Sequence, residues 1–497
     1  MPEPRIVAEP RVILMRCESY DADKIADIVH QGLEEMDLRP KGKTVVKPNI
    51  VIAHEKYFKY AYTRAEFVEG VVRATRRRAA ETDTEMESLT VAERCGITIP
   101  TRMAFSQAGY TKMARRQKVP LVSLEEVPQV EVELTHDQRL RDYLYTPETI
   151  AESDFMISCP KFKAHPWTTV TFALKNWIGI QDDRHRMIDH DFHLDRKIAD
   201  LQEIVYPDFI AIDGIVGGQD RMLTPEPFDL NLVVMGNNSV AVDSVCCHIL
   251  GIDPATVDHI RYCHERGLGP LALDQITVSG DVSLDEAQKD AAEFRHGLIR
   301  VEDYFKDTRI TAHAGPPTPS GECDYCWGGC PGAMEEAIEI IRTCEPDIDD
   351  RMDRIHVVFG RYEGPIDAGP DEKVIFLGDC AQWKGEIAGR AVEVASVYEP
   401  GSKKDPHKAR FGDIFIKMLV ALYTVFRRRK EPHIHVLGCP VSVAENVIYI
   451  ARCGKTKNPY FDMAIAVPFF LAYVANKVVT FFKRLMLIPY QKRRRSR

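Results

Sequence analysis

Three cysteines fall within eight residues, Cys323-Asp324-Tyr325-Cys326-Trp327-Gly328-Gly329-Cys330, and Pro331 follows them. Soft thiolates suit iron–sulfur clusters or zinc, and the paired glycines let the backbone close round an inorganic core. The spacing, C-x2-C-x3-C and then Pro, fits three ligands of one 4Fe–4S cluster, which needs a fourth. Lys373–Leu377 reads as a buried strand that ends in Gly378-Asp379-Cys380. His433–Leu437 reads as another, ending in Gly438-Cys439-Pro440. Each puts a thiol just past the carboxyl end of a strand, where open α/β sheets gather ligands. Cys323, Cys326 and Cys330 are thus the expected first three ligands and Cys380 or Cys439 the fourth, so that five thiols compete for four positions and one of the last two is the expected bystander. Zinc is the alternative, although zinc sites favour two Cys pairs or a Cys pair with a His pair, and no second pair appears beside this motif.

A second polar constellation lies in the N-terminal half. Strand Phe155–Cys159 runs into Pro160-Lys161-Phe162-Lys163-Ala164-His165, and Leu174-Lys175-Asn176-Trp177 comes after it. Lys161, Lys163, His165 and Lys175 thus bring three cations and an imidazole to the carboxyl end of one strand and the helix after it. Lysines near a helix N-terminus attract anions, so a small molecule with a carboxylate or phosphate is the expected ligand. His165 has a side chain that titrates near neutrality and could shuttle a proton, with Lys175 beside it. Lys47, Asn49, Asn176 and Asp213 complete the expected ligand site. Asp243 joins them from an apolar run, Val240-Ala241-Val242-Asp243, where a carboxylate needs either a lysine partner or the dipole of its own helix. His190 and His193 have ligand-like spacing, and a solvated loop accounts for them equally well.

The elements that must hold these residues alternate. Strands are expected at Arg11–Arg16, Lys43–Pro48, Ser88–Glu93, Pro120–Leu124, Phe155–Cys159, Pro207–Asp213 and Asn231–Gly236. Helices are expected at 22–38, 64–82, 147–153, 195–205 and 239–250. Strands separated by helices of this length call for an α/β fold, a mostly parallel doubly wound sheet. A Pro-rich run, 312–320, then leads to a second, smaller, cysteine-rich α/β domain. Its expected order is strand, Cys380, helix, loop 399–410, strand, Cys439, helix. The division is thus 1–311 for the anion-binding domain, 321–460 for the metal-binding domain and 461–497 for an apolar helix with a basic tail.

Lys47-Pro48-Asn49, Pro160 to His165, Leu174 to Gly179, Ala211-Ile212-Asp213-Gly214 and Val240 to Asp243 occur in that order. Together they resemble the family catalogued as domain of unknown function 362, over roughly residues 12–268. The resemblance implies a domain often coupled to iron–sulfur modules. Many relatives carry two C-x2-C-x2-C-x3-C-P runs, whereas this chain has one shortened run, so one cluster is expected rather than a two-cluster relay.

Composition fits this picture. The 497 residues are 45% apolar and 28% charged, as in an ordinary globular protein of two or three domains. A formal charge of −9 argues against a nucleic-acid partner. Thirteen cysteines without an apolar leader point to metal in a reducing, cytoplasmic compartment rather than to disulfides. Two apolar stretches stand apart. Ile414–Phe426 runs into Arg427-Arg428-Arg429-Lys430, and Met463–Phe482 precedes the tail Lys492–Arg497. Contact with the inner face of a membrane, packing in a core or dimer interface, and true spanning all stay open for them.

The chain therefore reads as an iron–sulfur protein with a redox role, an oxidoreductase acting on or binding a small anionic molecule, supplied by an external electron donor. A non-catalytic, metal-stabilised scaffold at the membrane surface and a non-redox enzyme using the cluster as a Lewis acid are the alternatives. No G-x-G-x-x-G and no Walker loop points to a nucleotide carrier.

Overall fold

The computed structural model describes residues 7, 9–54, 57–96, 99–317, 323–399, 414–487 and 494–495. Two compact units emerge: Met1–Asp182 with Asp195–Gly297 and Phe469–Arg497, and Asp183–Leu194 with Leu298–Pro468. Loop residues 400–410, residues 318–320 of the Pro-rich run, and Lys492, Arg493, Ser496 and Arg497 of the tail lie outside the described residues.

The first unit is built on strands β1 (Arg11–Arg16), β2 (Lys43–Pro48), β3 (Ser88–Glu93), β4 (Leu121–Ser123), β5 (Gln129–Glu133), β6 (Tyr143–Pro147), β7 (Phe155–Cys159), β8 (Lys161–His165), β9 (Thr169–Thr171), β10 (Phe209–Gln219), β11 (Glu226–Phe228), β12 (Leu232–Gly236) and β13 (Thr277–Gly280). Its main sheet runs β13-β1-β12-β10-β7-β2-β3-β4. Neighbours are parallel except around β12, which is antiparallel to both β1 and β10. The central strands are almost wholly buried because both faces are covered, and their few polar residues, among them Lys47, Ser158 and Asp213, are buried with the rest. On one face Ile13, Val46, Val91, Ile157 and Val233 meet Ile25 and Val29 of helix Ala22–Glu35 and Val68 and Val71 of helix Ala65–Glu81. Asp21 caps the first of these helices, accepting from the Asp23 and Lys24 N–H groups. Helix Ser239–Ile249 packs on β1 and β12. β2 lies beside β7, with Lys47 opposite Ser158, and β8 lies beside β10, with Lys161 opposite Asp213. This register brings the lysines and acids together.

The second unit has a parallel sheet of β14 (Ile310–Ala314), β15 (Ile355–Arg361), β16 (Lys373–Ile387) and β18 (His433–Val436), with β17 (Arg390–Val394) antiparallel to the far half of β16. Helices Cys330–Cys344 and Val443–Cys453 cover it through Ile338, Ile341, Val447 and Ile450. One expectation fails here. Cys380 leads into no helix; β16 continues through it and pairs with β17 from Trp383 to Ile387. The physical reason is a period of two, with Ala381, Trp383 and Ile387 buried on one side while Gln382 and Lys384 face out. Among the described residues no helix is long and apolar enough to cross a membrane.

Candidate functional site

In the second unit the sheet and one loop carry sulfur to a common place. Cys326, Cys330, Cys380 and Cys439 line one cavity, together with Asp191, Phe192, Tyr325, Phe359 and Tyr398. Cys330 opens helix Cys330–Cys344, with Pro331 in its first turn, so the cavity sees the positive end of a helix dipole. Gly329 precedes it, and a Cβ there would displace the Cys326 Sγ from its place in the cavity. At the tip of the parallel part of β16, Gly378 has φ +104, and a Cβ on it would meet Cys330 Sγ at 3.0 Å and Cys380 Sγ at 3.7 Å. The ends of β16 and β18 are tied together. The Asp379 N–H donates to Gly438 O at 3.0 Å, and the Gly438 N–H to Asp379 Oδ1 at 2.7 Å. That tie holds Cys380 and Cys439 in register.

Hydrogen bonds reach the sulfurs directly. The Val441 N–H donates to Cys330 Sγ at 3.3 Å, and the Cys439 thiol donates to Asp191 Oδ2 at 3.7 Å. Asp191 arrives on Asp183–Leu194, a segment whose flanking chain belongs to the first unit. Its other oxygen receives the His193 N–H at 3.0 Å and faces His193 Nδ1 at 2.9 Å. His193 is thus tied to the carboxylate. Burial, then the Asp191 carboxylate and the Cys380, Cys439 and Cys330 sulfurs, push the Cys326 thiol well above its ordinary range. Cys323 is half-buried and, among the described residues, does not line the cavity. The sulfurs ring a space. Among the described residues, no three His, Cys, Asp or Glu side chains close on one point as a ready site for a lone ion.

Lys47, Lys161 and Lys163 of the first unit are buried and held from within. Lys47 Nζ lies 2.7 Å from Glu93 Oε2 and 3.3 Å from Asn176 Oδ1. Lys161 Nζ lies 2.9 Å from both Asp213 Oδ2 and Tyr20 Oη, and Tyr20 in turn donates to Asp213 Oδ1 at 2.8 Å. Burial pulls the Lys161 ammonium below its ordinary range, and Asp213 pulls it back. Lys163 Nζ donates to Met222 O at 2.9 Å. Asn49 Nδ2 donates to Ala61 O at 3.2 Å, and Asn176 Nδ2 to Ser158 Oγ at 3.0 Å. His165 Nδ1 accepts the Trp167 N–H at 3.2 Å, while Lys175 is half-buried at the start of a 3-10 turn. Asp243 takes neither partner expected of it. Its oxygens accept the Ala173 and Leu174 N–H groups at 2.7 and 3.0 Å, and burial pushes its carboxyl up to about 7.

Sequence reasoning missed Tyr20, Glu93 and Asp191. Glu93 had a signal, an acid ending the apolar strand β3, whereas Asp191 had none beyond its neighbouring histidines.

Comparison with known proteins places the lysine-bearing region. Residues 44–248 match the model of the family described as domain of unknown function (DUF362). Residues 44–248, less than half of the chain, are thus similar to that family. The match includes Lys47, Lys161, His165, Asp213 and Asp243. Over 278 residues the chain is 22% identical to the thylakoid-associated protein sll1697 of Synechocystis, covering 53% of this chain and 81% of that one. Among solved structures, the lactate racemase apoprotein from Thermoanaerobacterium thermosaccharolyticum aligns over 76% of this chain and 84% of its own, at 8% identity and TM-score 0.32. A Thermotoga maritima protein aligns over 73% and 89%, at 9% identity and TM-score 0.31.

Proposed function

We propose that the second unit holds one 4Fe–4S cluster on Cys326, Cys330, Cys380 and Cys439, and that the protein is redox-active. The supporting observation is that four sulfurs from three separate chain segments line one cavity. The donor set fits: four thiols, a backbone N–H aimed at one sulfur, and a helix N-terminus that favours the negative charge of a thiolate-bound cluster. Such a cluster would supply one-electron transfer, at a potential set by its hydrogen bonds and exposure. Phe192, Tyr325, Phe359 and Tyr398 would keep water from the sulfurs, and Asp191 would place a fixed negative charge beside Cys439. On this reading Cys323 is the bystander among the five thiols.

For the first unit the proposal is a small anionic molecule, with His165 moving a proton and Lys175 holding the ligand. Lys47 and Lys161 already lie against Glu93 and Asp213, so an anion would compete with those carboxylates for them. The electrons would come from an external donor.

The test is reduction of anaerobically purified protein with dithionite, then electron paramagnetic resonance. A new signal from a reduced cluster, with bleaching of the visible absorbance, is expected. A colourless protein that stays silent on reduction would leave the metal-stabilised scaffold as the better reading.

A further inference from the structure

Two helices bury only one side of an otherwise apolar surface. Helix Met463–Leu487 turns Ile465, Phe469, Ala472 and Val479 half inward, and Asn476 donates to Glu125 Oε1 at 2.7 Å. The polar residue that interrupts the apolar run is thus taken up by a carboxylate of the protein. The opposite face carries Val467, Phe470, Leu471, Val474, Val478 and Phe481, each 40–63% exposed. Steps of three and four residues make them one stripe. Helix Ile414–Arg427 repeats the pattern. Ala421 and Val425 enter the core, while Leu419, Val420, Tyr423 and Phe426 are at least half exposed. Contiguous exposed apolar faces of this kind mark interaction surfaces.

Charge identifies the partner. Residues 414–430 and 463–497 contain thirteen Lys and Arg and no Asp or Glu, in a chain whose net charge is −9. Arg427, Arg428, Arg429 and Lys430 are exposed where the first helix ends. Arg427 donates to Tyr423 Oη at 3.1 Å, and the Arg429 guanidinium lies 5.6 Å over the Phe426 ring. Cations therefore border the apolar face directly. A second copy docked symmetrically on such a face would set like charges against each other. Lys417 lies 3.8 Å from Glu445 and Arg428 3.8 Å from Glu431, and the apolar stripe rimmed by the remaining excess of positive charge matches the boundary between acyl chains and anionic headgroups.

We infer that each of these two helices binds lipid, laying its exposed stripe into the headgroup layer of an anionic membrane without crossing it. The inference stands independently of the metal centre.

Co-sedimentation of the full chain with vesicles tests it. Binding is expected to phosphatidylcholine vesicles doped with phosphatidylglycerol, and not to phosphatidylcholine alone. It should fall as salt rises, since the Debye length shrinks from about 10 Å at 0.1 M to about 3 Å at 1 M. Neutralising Arg427→Gln, Arg429→Gln and Lys430→Gln together should weaken partitioning about a hundredfold. Phe470→Ser with Phe481→Ser should weaken it at least about tenfold at every salt concentration, with the circular dichroism melt unchanged. A chain that stays in the supernatant with both vesicle types would overturn the inference. So would equal binding to neutral vesicles by wild type and the charge variant. A dimer that dissolves in the Phe470→Ser, Phe481→Ser variant, with no vesicle binding by wild type, would show the stripe to be a protein interface instead.

Discussion

Asp213→Ala should lower the unfolding free energy of the first unit by about 3–5 kcal/mol. Both Asp213 and Lys161 have side chains 0% exposed, and their charged atoms lie 2.9 Å apart. Alanine would strand the Lys161 ammonium in a site where burial already disfavours it, beside the neutral Tyr20 hydroxyl. It would also remove the acceptor of the Tyr20 hydroxyl and of the Arg64 N–H, which lies 3.0 Å from Asp213 Oδ2. A buried donor left unmade costs about 1–3 kcal/mol. The double variant Lys161→Met, Asp213→Leu should recover most of the loss, because the penalty comes from the uncompensated charge rather than from the missing attraction. Urea titration monitored by circular dichroism measures both. A single variant within about 0.5 kcal/mol of wild type would mean that Lys161 finds another counter-ion, as a bound anion would provide.

Cys330→Ala should empty the proposed metal centre and loosen the second unit. The Cys330 sulfur meets the Val441 N–H at 3.3 Å and crowds the space over Gly378, so it joins the helix N-terminus to the tips of β16 and β18. Changes that merely weaken support for a ligand cost about 10–100-fold in metal affinity, and removing a ligand should exceed that. Metal that binds only the folded state adds its binding energy to stability, about 10 kcal/mol or more for structural zinc in zinc-finger peptides. The variant should therefore lose its iron and melt at a lower temperature. Cys323→Ala should keep both, since Cys323 lies off the cavity. Identical melting curves and iron contents for Cys330→Ala and wild type would remove Cys330 from the ligand set.

Strands were the most legible part of the fold. Arg11–Arg16 encloses the apolar run Val12–Met15, and Lys43–Pro48, Ser88–Glu93 and Phe155–Cys159 are short runs rich in apolar and β-branched residues bounded by turn residues, with Thr44, Lys47, Glu93 and Ser158 as their buried polar members. Cys380 and Cys439 were legible as candidate ligands because Gly378 and Gly438 marked the ends of such runs. The chain beyond Cys380 was not legible, because the bend at Gly378 hides that it goes on as a strand with a new partner. The lysines show a different limit. Residue type revealed the positive charge of Lys47 and Lys161, but their carboxylates come from 46 and 52 residues away, and strand register alone brings them together. Asp191 reaches the sulfurs on a short segment that changes units, and nothing local in the sequence encodes that.

Metal and acid-labile sulfide, measured on the anaerobically purified chain beside its Cys326→Ala variant, test the central claim most directly. About four iron and four sulfide per wild-type chain, and little of either in the variant, are expected of a single cubane cluster. Zinc at about one per chain without sulfide, or a variant as rich in iron as wild type, would contradict it.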